Sequence, residues 1–232
     1  EKKMSYAIDF PGVVTLPVVE SNKAFPVGRI YCVGRNYAEH AREMGHDPDR
    51  EPPFFFMKPA DAIVPNGATI PYPQMTKDVH HEIEMIVAIG KGGSNIPVEK
   101  ALDHVFGYGV GLDMTRRDLQ GEAKKMGRPW EMGKAFDNSA PCTALKTVAM
   151  VGHPAKGAIW LKVNGEVKQK GDLSELIWNV PETISYLSHL ITLRPGDIIV
   201  SGRPAGVGPI KPGDKLEGHV DGVGELTVSY AK

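Results

Sequence analysis

The chain is poor in cysteine, with Cys32 and Cys142 alone in 232 residues, far apart and without metal-ligand spacing. That scarcity argues against a disulfide framework or a thiolate zinc site and fits a reducing compartment, with the cytoplasm as the expected location. An excess of either charge is also lacking, since 27 Lys and Arg meet 28 Asp and Glu for a net charge of −1. Without a basic block or stripe to neutralise phosphates, no nucleic-acid partner is expected. No apolar run approaches the roughly 18 to 20 residues that span a bilayer, and no signal-peptide core stands near the amino terminus, so no membrane partner is expected either. Long internal repeats and low-complexity linkers are absent. A composition of 41% hydrophobic and 24% charged residues is ordinary globular material. The length allows one domain or one plus a small extension, and the first 28 residues read as that extension, leaving residues 29–232 as the domain.

What the chain does have is punctuation: 26 Gly and 19 Pro, with turn pairs at Pro11-Gly12, Pro195-Gly196 and Pro212-Gly213. "LRPGD" and "IKPGD" repeat one device, Pro then Gly at the centre of a turn, each followed by strand-like residues. Further strands are predicted at 29–34, 82–90, 105–113 and 158–169, the last a hairpin turning at Asn164-Gly165. Helices are predicted at 37–45, 115–127 and 181–192, the second opening with Thr115 and Asp118 in capping-box spacing. The fold class is therefore α+β and strand-rich.

In "VHHEIEMIVAIG", Glu82 and Glu84 stand two apart at the head of an apolar run. On a strand they share one face with Ile86 and Ala88, so two like charges lead straight into core, where they repel and lose hydration. Asp113 ends the strand "GYGVGLD" where the next helix begins, which makes three carboxylates available to one point. An all-oxygen set suits a hard ion that keeps waters, Mg²⁺ or Mn²⁺, with Ca²⁺ as a further candidate. His80-His81-Glu82 does not make a zincin, because the second histidine of H-E-x-x-H would fall on Met85. Spacing alone fits a solvated edge strand equally well, and Asp113 by itself reads as a helix N-cap.

Ordered blocks from Arg29 onward, "YCVGRNYAEHAREMG", "FFFMKP", "HHEIEMIVAIGK", "GYGVGLDMTRRDLQ", "PWEMGKAFDNSAP" and "SGRPAGVGPIKPGD", resemble the fumarylacetoacetate hydrolase family in its small acylpyruvase-like branch. The resemblance implies a mixed β-roll with short flanking helices, assembled as a homodimer. It also implies a magnesium or manganese site on Glu82, Glu84 and Asp113, and a 2,4-diketo acid as small-molecule partner.

Under that resemblance, His40 and Glu43, three apart on one helical face, become a general base and its orienting carboxylate on a lid. Lys134 becomes a catalytic cation beside the acids, and Arg35, Arg117 and Gln120 become substrate contacts, with Arg116 left as plain surface. In "SGRPAGVGP", Gly202 would offer a backbone N–H to an oxyanion. Arg203 stands where the family commonly has Thr, and is read as receiving a distal substrate carboxylate. The function expected is hydrolysis of the C3–C4 bond of an acylpyruvate, fumarylpyruvate to fumarate and pyruvate, in aromatic-compound catabolism. Oxaloacetate decarboxylation and a non-catalytic dimeric binding module are the alternatives. Without the resemblance, His40 is a surface histidine on an amphipathic helix and Lys134 a snorkelling lysine.

Overall fold

A computed structural model describes residues 4–37 and 51–232. A mixed eight-stranded sheet runs in the order Phe54–Lys58, Ile30–Gly34, Ile198–Val200, Ile83–Ile89, Val105–Leu112, Ala140–Cys142, Ile63–Pro65, with Lys146–Thr147 also pairing onto Val105–Leu112. A five-stranded sheet packs against it, in the order Glu166–Asp172, Ala158–Val163, Lys215–Val220, Gly224–Tyr230, Thr69–Ile70. This strand-rich, mixed arrangement with few helices is the predicted fold class.

The strand Ile83–Ile89 is buried at every residue because both of its faces are covered. Ile83, Met85 and Val87 meet Ile159, Leu161, Leu216 and Val228 in one core cluster. Ile86 and Ala88 meet Leu16, Phe25, Ile30, Cys32 and Val200 in another. A strand sandwiched this way reads as a continuous apolar run, which is why "IVAI" does not alternate. The Thr15–Pro17 and Ala24–Pro26 hairpin thus contributes Leu16 and Phe25 to the same cluster as Ile30.

Local signals account for most boundaries. Asn164 and Gly165 turn the hairpin at φ of 51° and 82°, as a tight primed turn requires. The helix Val180–Leu190 opens on a reciprocal capping box of Asn179 and Glu182, with Pro at its start. At 115–127 the outcome differs from the prediction. Thr115–Arg116 is a short strand paired with Val79–His81, and the helix runs Arg117–Lys125 without a side-chain cap. Asp118 instead accepts hydrogen bonds from Thr76 Oγ1 and Lys77 N, tying the helix to the preceding loop. The predicted helix at 37–45 lies outside the described residues from residue 38 onward. Among the described residues no helix is long and apolar enough to cross a membrane.

Candidate active site

Strand pairing brings the three acids together. Ile83 pairs with Leu112 and Glu84 with Gly111, so the next step of the ladder sets Glu82 against Asp113, whose N–H donates to Glu82 O at 2.9 Å. Glu82 itself interrupts the strand between His81 and Ile83. The result is one buried cluster in which a ligand oxygen of Glu82, Glu84 and Asp113 each lies within 4.8 Å of the others. The three residues are 4%, 2% and 1% exposed, which rules out the solvated edge strand.

Cations hold the cluster from several sides. Lys134, on the short helix Glu131–Lys134, donates to Glu82 Oε2 at 3.0 Å, Asp113 Oδ2 at 2.8 Å and Thr115 Oγ1 at 2.7 Å. Burial pushes its ammonium pKa down, but Asp113 and Glu82 outweigh burial and raise it, so Lys134 stays charged. Arg117 spends its guanidinium on Glu82 Oε1 at 2.6 Å, Gln120 Oε1 at 2.7 Å and His80 Nδ1 at 3.3 Å. Arg203 Nε lies 3.3 Å from the same Glu82 oxygen. Burial alone would raise the Glu82 pKa; Lys134, Arg117 and Arg203 together reverse that and hold it well below the usual carboxylate range.

Glu84 is treated differently. Its nearest polar partner is the Gly202 N–H, at 2.6 Å from Oε2. Burial, then the charges of Asp113 and Glu82, push its pKa well above normal. Asp113 Oδ1 is also short of donors: Lys58 Nζ sits 2.8 Å away as an ion pair, yet no well-aligned hydrogen bond reaches that oxygen. Buried carboxylate oxygens without adequate donors, in an all-oxygen set, fit a hard divalent cation.

Lys58 is the residue that sequence reading missed. It ends the strand Phe54–Lys58, is 1% exposed, and donates to Met114 O at 3.0 Å and to Lys134 O. The available signal was a lysine closing the apolar run "FFFM", where a charge needs a partner.

Other expectations need correction. Gly202 does not hold its N–H free for a substrate oxyanion; it satisfies Glu84. A side chain there is barred twice, by φ of 116° and by Asn36 Cβ at 2.6 Å from where a Cβ would stand. Arg116 is not plain surface: it donates to Met132 O at 2.8 Å and Gln74 O at 3.0 Å and lies over the Phe136 ring. Arg117 and Gln120 hydrogen-bond each other beside Glu82, while Arg35 is exposed, with φ of 51°. His40 and Glu43 lie outside the described residues.

The loop carrying Gly202 and Arg203 is anchored by a side chain from the second sheet. Gln169 Nε2 donates to Pro204 O at 2.9 Å, while its Oε1 accepts from Ile83 N at 3.0 Å and from His81 Nδ1 at 2.9 Å. With Oε1 as acceptor, the His81 proton belongs on Nδ1.

Residues 29–229 match the family model for the fumarylacetoacetate (FAA) hydrolase C-terminal domain. The chain belongs to the fumarylacetoacetate hydrolase family. It is 55% identical to fumarylpyruvate hydrolase from Pseudomonas aeruginosa, solved with Mn²⁺ and pyruvate, over 98% of this chain and 99% of that one, with a TM-score of 0.92. A structure from Burkholderia cenocepacia, provisionally designated a fumarylpyruvate hydrolase, is 53% identical over 98% and 99% of the two chains, with a TM-score of 0.93. The human mitochondrial oxaloacetate tautomerase FAHD1 is 45% identical over 203 residues, 88% of this chain and 91% of that protein.

Proposed function

We propose that the protein is a Mg²⁺- or Mn²⁺-dependent acylpyruvate hydrolase that cleaves the C3–C4 bond of fumarylpyruvate to give fumarate and pyruvate. One observation carries this reading: Lys58, Lys134, Arg117 and Arg203 surround the three buried acids, and a divalent ion would add to that positive charge. A cleft so charged favours a polyanionic substrate over a neutral one. The 55% identity to a fumarylpyruvate hydrolase supports the choice of acyl group.

Glu82, Glu84 and Asp113 would hold the ion, which supplies Lewis-acid stabilisation for negative charge developing on a 2-oxo oxygen. Lys134 bridges Glu82 and Asp113 and keeps their geometry, with its own position fixed by Thr115. Arg117 orients Glu82 and Gln120 toward the same side. His40, oriented by Glu43, would take the proton of the water that adds to the C4 carbonyl and return it to C3 of the departing pyruvate. That assignment rests on the sequence resemblance. We further propose a homodimer, as the resemblance implies, and a cytoplasmic location in aromatic-compound catabolism. The buried free thiols of Cys32 and Cys142 support a reducing compartment.

A second reading, action on oxaloacetate, is supported by the 45% identity to the human tautomerase. Parallel assays of Mn²⁺-loaded protein on fumarylpyruvate, acetylpyruvate and oxaloacetate decide between them. Fumarylpyruvate should give the highest kcat/KM, and a clear preference for oxaloacetate would overturn the first reading.

A further inference from the structure

Among the described cations around the acid cluster, three are fully engaged. Lys134 has three partners, Arg117 has three, and Lys58 meets Asp113 and two backbone carbonyls. Arg203 differs. Only its Nε is engaged, 3.3 Å from Glu82 Oε1, and no hydrogen bond or ion pair with a described residue occupies its two terminal nitrogens. Its side chain is 35% exposed, against 1% to 3% for Lys58 and Lys134, so Arg203 reaches from a buried acid toward solvent.

The loop beneath it is held at both ends. Gly202 N is bonded to Glu84 and Pro204 O to Gln169, which fixes the Arg203 backbone without constraining its terminal nitrogens. Those nitrogens lie about 2.3 Å beyond Nε, and a charge-assisted hydrogen bond adds about 2.8 Å. From Glu82 Oε1 the fork therefore reaches a carboxylate oxygen out to about 8 Å, close to the span of an extended seven-carbon diketo diacid.

We propose that Arg203 selects dianionic acylpyruvates, its two terminal nitrogens taking the substrate carboxylate farthest from the acid cluster. This inference rests on the acylpyruvate hydrolase reading. Arg203 would thus serve twice: its Nε sits 3.3 Å from Glu82 Oε1, and its terminal nitrogens would set specificity.

The test compares Arg203→Thr and Arg203→Lys with wild type, all Mn²⁺-loaded. For Arg203→Thr, the ratio of kcat/KM on fumarylpyruvate to that on acetylpyruvate, which lacks a distal carboxylate, should fall by about ten- to a hundredfold. The loss should appear mainly in KM, and Arg203→Lys should recover part of it. Titration calorimetry with fumarate should show weakening by a similar factor in Arg203→Thr. Mn²⁺ affinity should not fall, because the variant removes a cation beside Glu82. Equal loss on both substrates would make Arg203 a charge partner of Glu82 only, with no part in selecting the distal carboxylate, and overturn the proposal. Unchanged fumarate binding would overturn it as well. If wild type fails to cleave fumarylpyruvate, the functional reading falls, while the fumarate titration still decides the role of Arg203.

Discussion

Lys58 and Asp113 face each other 2.8 Å apart with about 1% of either side chain exposed. The ammonium also meets two backbone carbonyls, those of Met114 and Lys134, so one side chain serves both the acid cluster and the turns that carry it. Lys58→Met should cost about 1–3 kcal/mol in urea unfolding, because it strips Asp113 Oδ1 and two buried carbonyls of their donor while Lys134 still pairs with Asp113 Oδ2. Saturating Mn²⁺ should restore part of that loss by compensating Asp113. An equal loss with and without Mn²⁺ would mean that the backbone contacts, and not the charge, are what Lys58 supplies.

Glu84 lacks a direct cationic partner among the described contacts, so its replacement should separate binding from stability. Glu84→Gln should weaken Mn²⁺ by about a hundredfold or more in calorimetry, since two carboxylates hold a hard ion poorly. The same variant without metal should be more stable than wild type at neutral pH, because burial and two neighbouring acids disfavour the Glu84 charge. Retained metal affinity would place the ion elsewhere.

The pH dependence follows from the same carboxyl. Its pKa is raised in the folded protein, so its contribution to stability is present below the ordinary carboxylate range and is lost as pH rises through the folded value. A metal ion held by Glu84 would displace that proton. The increase in Tm produced by a fixed Mn²⁺ concentration should therefore grow from pH 5.5 to 8, and affinity should rise by up to about tenfold per pH unit while Glu84 titrates. A Tm increase independent of pH would show that Glu84 ionises freely without the ion.

His40→Ala should depress hydrolysis by about 10²-fold or more, the usual weight of a general base, with Mn²⁺ affinity unaffected. Parallel loss of metal and rate would instead make His40 a ligand or a structural residue.

Periodicity alone put Glu82 and Glu84 on one face and left their burial open; the family resemblance joined them to Asp113 as one site, and the antiparallel ladder shows how the three meet. Lys58 was not legible, since its partner Asp113 lies far on in the sequence, just past the end of the strand Val105–Leu112, and nothing local indicates which way a strand-terminal lysine turns. Arg116 failed for a related reason. Its neighbours Met132 and Gln74 are brought to it by tertiary packing, so its spacing within the helix prediction carried no trace of them. The capping-box spacing of Thr115 and Asp118 misled because pairing of Thr115 with His80 claimed the residue for a strand. Helix propensity lost there to a long-range ladder. For Gly202, the glycine was visible but its use was not, because the acceptor of its N–H is Glu84, 118 residues earlier.

Gln169 touches both halves of the cleft, reaching the acid-bearing strand at His81 and Ile83 and the arginine loop at Pro204. The acids are set by strand register, whereas residue 203 hangs from a loop pinned at its ends. A substitution at 203 would leave intact the ladder that assembles the carboxylates and, on the proposal above, change which anions are admitted. A scaffold divided in this way can pass from one anionic substrate to another through viable intermediates, each still able to bind its ion.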